Sequence, residues 1–267
     1  MRSSPKRRPQ RPVSESKDAI RIVPLYLPAG LTGLTAGLAA APAPILTYRG
    51  GPLLSAVQVF TIFWGSDWKK APQATIATDL NAFFAAILQG PLLSQQMAEY
   101  RVPKYEIGPG RFIGTNVVTT PTLGKTVTDA AIQQMLQKEI AGNEAFPKPG
   151  ANLLYFVYLA PGVRVTQGGS ASCQAFCGYH DAIDDKIFYA VMPYANCQGC
   201  LGDLSTFNAL TSTSSHELCE AITDPIPGQG WYDDAHGEIG DICAWETKQI
   251  GGYTVQLEWS NQAKKCV

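Results

Sequence analysis

A chain of 267 residues, 45% of them apolar, is long enough for one large domain, or one domain and a tail, with a substantial core. Its net charge of −1 gives no bulk electrostatic reason to bind nucleic acid or a membrane surface. Seven cysteines are many for a cytosolic protein of this size. They point to an oxidising, extracytoplasmic or secreted destination in which six pair and one is left over.

The first dozen residues carry five Lys or Arg and no acid. They precede an apolar stretch over residues 22–44 that ends in small residues, in the manner of a signal peptide with a long basic n-region. Pro24, Pro28 and glycines interrupt that stretch, and the competing reading is a Pro/Ala-rich disordered tail. Residues 1–44 are therefore set apart as a leader or tail, its cleavage left open, and a single folded domain is expected over 45–267. No later segment approaches the roughly 20 apolar residues of a membrane span.

Within the domain, "AVQVFTIFWG" reads as a buried strand, rich in β-branched and aromatic residues and bounded by Gly65. "QATIATDLNAFFAAILQG" reads as a helix with an apolar stripe through Leu80, Phe83, Phe84 and Leu88, and "PLLSQQMAEY" as a second short helix. "GRFIGTNVV" reads as a strand. "TVTDAAIQQMLQKEIAG" is the clearest helix, capped by Thr128 or Asp129 and ended by Gly142. "ANLLYFVYLA" and "KIFYAVMPYA" read as buried strands, with a loop-like region from Gly168 to Gly178 between them. A long helix follows from about Leu204 to Thr223, and "YTVQLEWS" is a late strand. The mixture implies an α/β (α+β) fold, one mixed sheet flanked by helices.

The long helix contains "HELCE". Residues i and i+4 share a helix face, so His216 and Glu220 are both able to point at one metal ion. Imidazole and carboxylate are both zinc ligands. Glu217 sits about 100° round the helix, where H-E-x-x-H enzymes carry their general base. The helix is thus zincin-like, with Glu220 in place of the second histidine. Its preceding turns, "LSTFNALTSTSS", carry no charge, which implies burial on most sides, and buried carboxylates need a partner or a metal. Pro225 stops the helix at Asp224, which serves a loop contact or a cation. Beyond a turn and the pair Trp231 and Tyr232 lies "GEIGDICAW", where Glu238 or Asp241 is able to supply a third ligand. His180 and Tyr232 are candidates to contact substrate or stabilise an oxyanion. For His180 the plainer alternative is a histidine held by loop hydrogen bonds.

The order of "ILTYRGGPLL", "VFTIFWGSDW", "CQAFCGYH", "NCQGC" and "HELCEAITDP…GWYDDAHGEIGDICAW", ending in a C-terminal cysteine, resembles the phosphate-induced protein family of the plant Exordium proteins over residues 45–267. The resemblance implies an exported protein. The plant members lack an intact H-E-x-x-E and keep the glutamate but not the aspartate of "EIGD". That difference implies that Asp241, rather than Glu238, belongs with His216 and Glu220, and that this chain is a branch with a complete metal motif. It also implies a Cys243–Cys266 disulfide and two disulfides among Cys173, Cys177, Cys197 and Cys200, of open connectivity. The alternative for those four is a structural zinc shared with His180. Cys219 is left as a small buried hydrophobe.

The leading expectation is a zinc metallopeptidase domain acting on a protein or peptide, with Glu217 as general base and no nucleic-acid partner. The alternatives are a non-catalytic exported cell-envelope or binding protein of the Exordium type, and a metal hydrolase acting on a carbohydrate or ester.

Overall fold

The computed structural model describes residues 22–26 and 42–267. The basic N-terminal stretch and most of the signal-like segment lie outside the described residues. The first half of the fold comprises β1 (Ile22–Pro24), β2 (Thr47–Tyr48), β3 (Gln58–Trp64), α1 (Gln73–Ile87), β4 (Arg111–Val118), β5 (Thr126–Thr128), α2 (Asp129–Gly142) and β6 (Leu153–Leu159). The second half comprises β7 (Arg164–Gln167), β8 (Ser170–Ala171), β9 (Phe176–Ile183), β10 (Ile187–Met192), α3 (Gln198–Leu201), α4 (Thr206–Thr223) and β11 (Trp231–Tyr232). It closes with β12 (Thr247–Ile250), β13 (Tyr253–Gln256), β14 (Trp259–Ser260) and β15 (Lys265–Cys266).

A six-stranded mixed sheet in the order β1-β9-β10-β6-β3-β4 organises the molecule. β10, β6, β3 and β4 run parallel, and β9 runs antiparallel to β10. Parallel strands are covered on both faces, and β6 shows why: all seven of its residues are buried. Their side chains alternate between two cores. Leu154, Phe156 and Tyr158 pack with α1 and α4, whereas Tyr155, Val157 and Leu159 pack with Ile132, Met135, Leu136 and Ile140 of α2. The fold class is α/β, with helices on both faces of one sheet.

Local signals account for the helix boundaries. The Thr128 hydroxyl accepts from Ala131 N at 3.2 Å and caps α2. Ser205 does the same for α4 through Asn208 N at 3.2 Å. Three regions differ from the sequence expectation. "PLLSQQMAEY" forms a π turn, Leu92–Gln96, followed by a 3-10 turn, Met97–Tyr100, rather than one α-helix. The expected loop from Gly168 to Gly178 contains β8 and the start of β9. "YTVQLEWS" divides into β13 and β14, because Leu257 N turns away to Glu246 O at 2.7 Å and Glu258 pairs with Val267. In addition, Ile22–Pro24 of the signal-like segment pairs with β9 as an antiparallel edge strand.

Three disulfides, Cys173–Cys197, Cys177–Cys200 and Cys243–Cys266, secure the edge of the sheet and the C-terminal region. Cys219 is free and buried. The sulfurs of Cys173, Cys177, Cys197 and Cys200 are consumed in disulfides, so the shared structural zinc with His180 does not form. Three disulfides are compatible with an extracytoplasmic protein. Among the described residues no single helix is long and apolar enough to cross a membrane.

Phe156 anchors the α1–α4 core: it is fully buried, and its ring centroid lies 4.6 Å from that of Phe84. Phe156→Ala should cost about 3–5 kcal/mol of stability, read as a lowered midpoint in denaturant unfolding. A loss under 1 kcal/mol would mean that this face repacks freely.

Candidate metal centre

The chemistry-bearing residues come from three segments that the fold presses together. α4 supplies His216, Glu217 and Glu220 from a helix buried on all sides from Ala209 to Thr223. Such a helix needs internal partners for its polar side chains, and its serines and threonines find them. Thr211 Oγ1 donates to Thr254 O at 2.7 Å, Ser214 Oγ shares a hydrogen bond with Tyr158 Oη at 2.7 Å, and Ser215 Oγ accepts from Gln256 N at 2.9 Å. These bonds tie α4 to β6 and β13.

The second segment is β9. Tyr179 faces the α2 core, so alternation turns Gly178 and His180 toward α4. Gly178 permits the close approach, since a Cβ there would stand 2.7 Å from Thr213 Cγ2 and 3.1 Å from Glu217 Oε1. The third segment is the turn Glu238–Cys243. It is fixed by the Cys243–Cys266 disulfide, by Gln256 Nε2 donating to Gly240 O at 2.9 Å, and by Trp259 N donating to Ile239 O at 3.1 Å.

Glu220 lies at the centre. Its Oε1 stands 2.9 Å from His216 Nε2 and accepts from Asp241 N at 3.2 Å, while its Oε2 stands 3.5 Å from His180 Nδ1. His180 Nδ1 also bonds Glu217 Oε2 at 3.1 Å, and His180 Nε2 donates to Asp224 O at 3.1 Å and faces Glu238 Oε1 at 3.5 Å. The ligand atoms of His216, Glu220 and Asp241 fall within 4.8 Å of one another, and so do those of His180, Glu220 and Glu238. Donor atoms about 2.1 Å from a tetrahedral ion stand about 3.4 Å apart, so an ion would draw the wider donor pairs inward and open the 2.9 Å contact between His216 and Glu220.

The polar inventory also fits a cation. His216 Nδ1, Glu217 Oε1, Glu220 Oε2 and both Glu238 oxygens are buried without a hydrogen-bond partner. Such atoms are costly unless something else satisfies them. Electrostatics tell the same story. Burial pushes Glu238 and Asp241 well above the carboxylate range, and the Glu220 charge adds to the effect. Burial also raises Glu217, to about 6, against the pull of His180. Burial would raise Glu220 too, but His216 and His180 hold it at about 2. Burial would lower His180, yet Glu217 and Glu220 lift it to about 10. Without a cation, protons on these side chains balance the charge.

The sequence candidates are distributed as follows. His216, Glu217, Glu220, Glu238, Asp241 and His180 converge on this cluster. His180 lies on a strand, not in a loop, and is the hub of the acidic groups. Tyr232 is buried on β11, paired with Thr47 of β2, with the Arg49 guanidinium 4.4 Å from its ring centroid. Asp224 is a loop cap, accepting from the amides of Gly228, Gln229 and Gly230 at 2.5–3.0 Å. Glu258 is a further buried acid that the sequence reading did not single out. Burial drives its carboxyl well above the usual range, and it lies outside both ligand groups.

No protein-family model, curated protein or solved structure matches the chain.

Gly240 bears directly on the ligand geometry. A Cβ there would stand 2.7 Å from His216 Nδ1, yet its φ of −80° suits any residue. Gly240→Ala should therefore displace the imidazole without straining the turn. It should weaken zinc binding by about 10- to 100-fold, the usual effect of disturbing a ligand's support, in a competitive chelator titration. Unchanged affinity would show that Gly240 does not set the position of the ring.

Proposed function

We propose that the protein is a zinc-dependent metallopeptidase in which His216, Glu220 and Asp241 hold the ion and Glu217 is the general base. The observation that carries this reading is the convergence of those three ligands beside buried polar atoms that lack partners. One imidazole and two carboxylates form a donor set that zinc accepts. Bound there, zinc would polarise a scissile carbonyl and acidify the attacking water.

The chain's own groups supply the proton transfers. Glu217 Oε2 is held by His180, while Glu217 Oε1 has no partner. One oxygen is thus oriented and the other is available to take a proton from the attacking water and return it to the leaving amine. Under this reading the chain is an exported branch of the phosphate-induced protein family with a complete H-E-x-x-E helix.

A second reading, a non-catalytic exported protein with a structural ion, is favoured by one observation. His180, His216, Glu217, Glu220 and Glu238 are all 0% exposed, and closed ligand sets are the habit of structural sites. For a peptidase, a wall segment must move before substrate enters. β1 suits that role, being a short edge strand that rests on α4 and on the turn Asp241–Cys243.

One set of measurements separates the readings. The peptidase should contain zinc, cleave an unstructured protein substrate, and lose that activity on chelation. Glu217→Gln should lower turnover at least 100-fold, in the range expected for a general base, while metal content stays unchanged. A zinc-free protein would sink both readings. Metal that raises the melting temperature without any hydrolysis would leave only the structural one.

A further inference from the structure

We propose that the centre is dinuclear, with a second divalent cation held by His180, Glu220 and Glu238 and with Glu220 bridging the two ions. The inference rests on the zinc reading for the first position and adds a second site to it.

The geometry of one carboxylate is the starting point. Glu220 turns its two oxygens to two different histidines, Oε1 to His216 and Oε2 to His180. A glutamate dedicated to a single ion has no need of a second imidazole on its other oxygen. A carboxylate that binds one ion through each oxygen does, and such bridges belong to sites whose metals stand about 3.5–4 Å apart.

Glu238 supplies the second argument. Both of its oxygens are buried, and the side chain they meet is another acid, Asp224, with Asp241 also near; two carboxyls in contact need a shared proton or a cation. The Asp241 carboxylate belongs to the first ligand group, and the Asp224 carboxylate is already engaged by three backbone amides. His180 is the basic side chain that faces Glu238, at 3.5 Å. An ion between Glu220, Glu238 and His180 Nδ1 satisfies the carboxylate that the first site leaves unused; the ring then keeps its one proton on Nε2, toward Asp224 O, and releases Glu217 Oε2.

Charge is the third argument. Glu217, Glu220, Glu238 and Asp241, all ionised, would carry four negative charges against two imidazoles that must be neutral to bind metal. One dication leaves half of that charge uncompensated and two cancel it, with Asp224 and Glu258 buried beside the cluster as further acids. In a volume closed to solvent, an uncompensated carboxylate is costly.

The test is metal stoichiometry on the full-length protein, equilibrated with zinc and desalted. Two ions per chain are expected in the wild type, one in Glu238→Gln and fewer than one in Glu220→Gln, which removes the shared ligand. Manganese loaded in place of zinc should give the exchange-coupled electron paramagnetic resonance spectrum of a bridged pair, and Glu238→Gln should convert it to that of isolated ions. One zinc per chain in the wild type, lost in Asp241→Asn but kept in Glu238→Gln, would overturn the second site and leave the first standing. No zinc in the wild type would overturn both. Should Glu238→Gln fail to fold, the wild-type stoichiometry and spectrum decide alone, uncoupled manganese being the negative result.

Discussion

The structure depends on one electrostatic constraint: a carboxylate, Glu220, is held out of water between two histidines. Neither histidine shares a segment with the other. His216 lies one turn back on α4, whereas His180 comes from β9, and the Asp241 amide closes the remaining side from the C-terminal turn. Each of these segments must reach its place before the charges find partners. A buried ion pair is weak evidence for stability, but removing one partner of it is costly. The cluster therefore rewards only the arrangement in which the sheet edge, α4 and the turn are docked together.

The surrounding composition follows from that demand. α4 lacks charge for its first turns because it must pass through the core to deliver His216. Its hydroxyls are spent on β6 and β13 instead of on solvent. Small residues stand where side chains would hold the segments apart, Gly178 under α4 and Gly240 against the His216 ring. Gln256 links two of the three segments, its amide donating to Ser215 on α4 and its side chain to Gly240 in the turn. Disulfides do the same work covalently: Cys243–Cys266 fixes the turn, and Cys177–Cys200 joins β9 to α3, just ahead of α4.

Much of the fold was readable from local pattern. The apolar runs of β3, β6 and β10 and the stripe and cap of α2 are signals within a few residues of each other, and the structure places elements there. The pattern on α4 also reveals a shared face for His216 and Glu220, since i and i+4 geometry is local. What could not be read was contact between segments far apart in sequence. His180 sits in a run of cysteines and glycines that resembles a loop. Its role depends on the antiparallel pairing of β9 with β10, which aims it at α4. The available clue was alternation within "FCGYHDAI", where Tyr179 and Ile183 mark one core and leave His180 on the opposite face. β1 was hidden for a similar reason. An edge strand of three residues carries too little periodicity to stand out from a signal-like apolar stretch.

The odd letter of the helix motif acquires a physical meaning from this arrangement. A histidine at position 220 would offer one donor nitrogen toward one ion and could not face both His216 and His180 as acceptor. A glutamate has two oxygens and a negative charge, so it can serve both sides at once. The same exchange makes each donor set one imidazole and two carboxylates, harder and more negative than a two-histidine set. An ion in such a site is a weaker Lewis acid, because more charge is donated to it. Were both donor sets filled, the shared carboxylate would offset that effect, since each ion would withdraw charge from a ligand that the other also used. Glu220 is thus better understood as the residue shared by the two donor sets than as a substitute for a missing histidine.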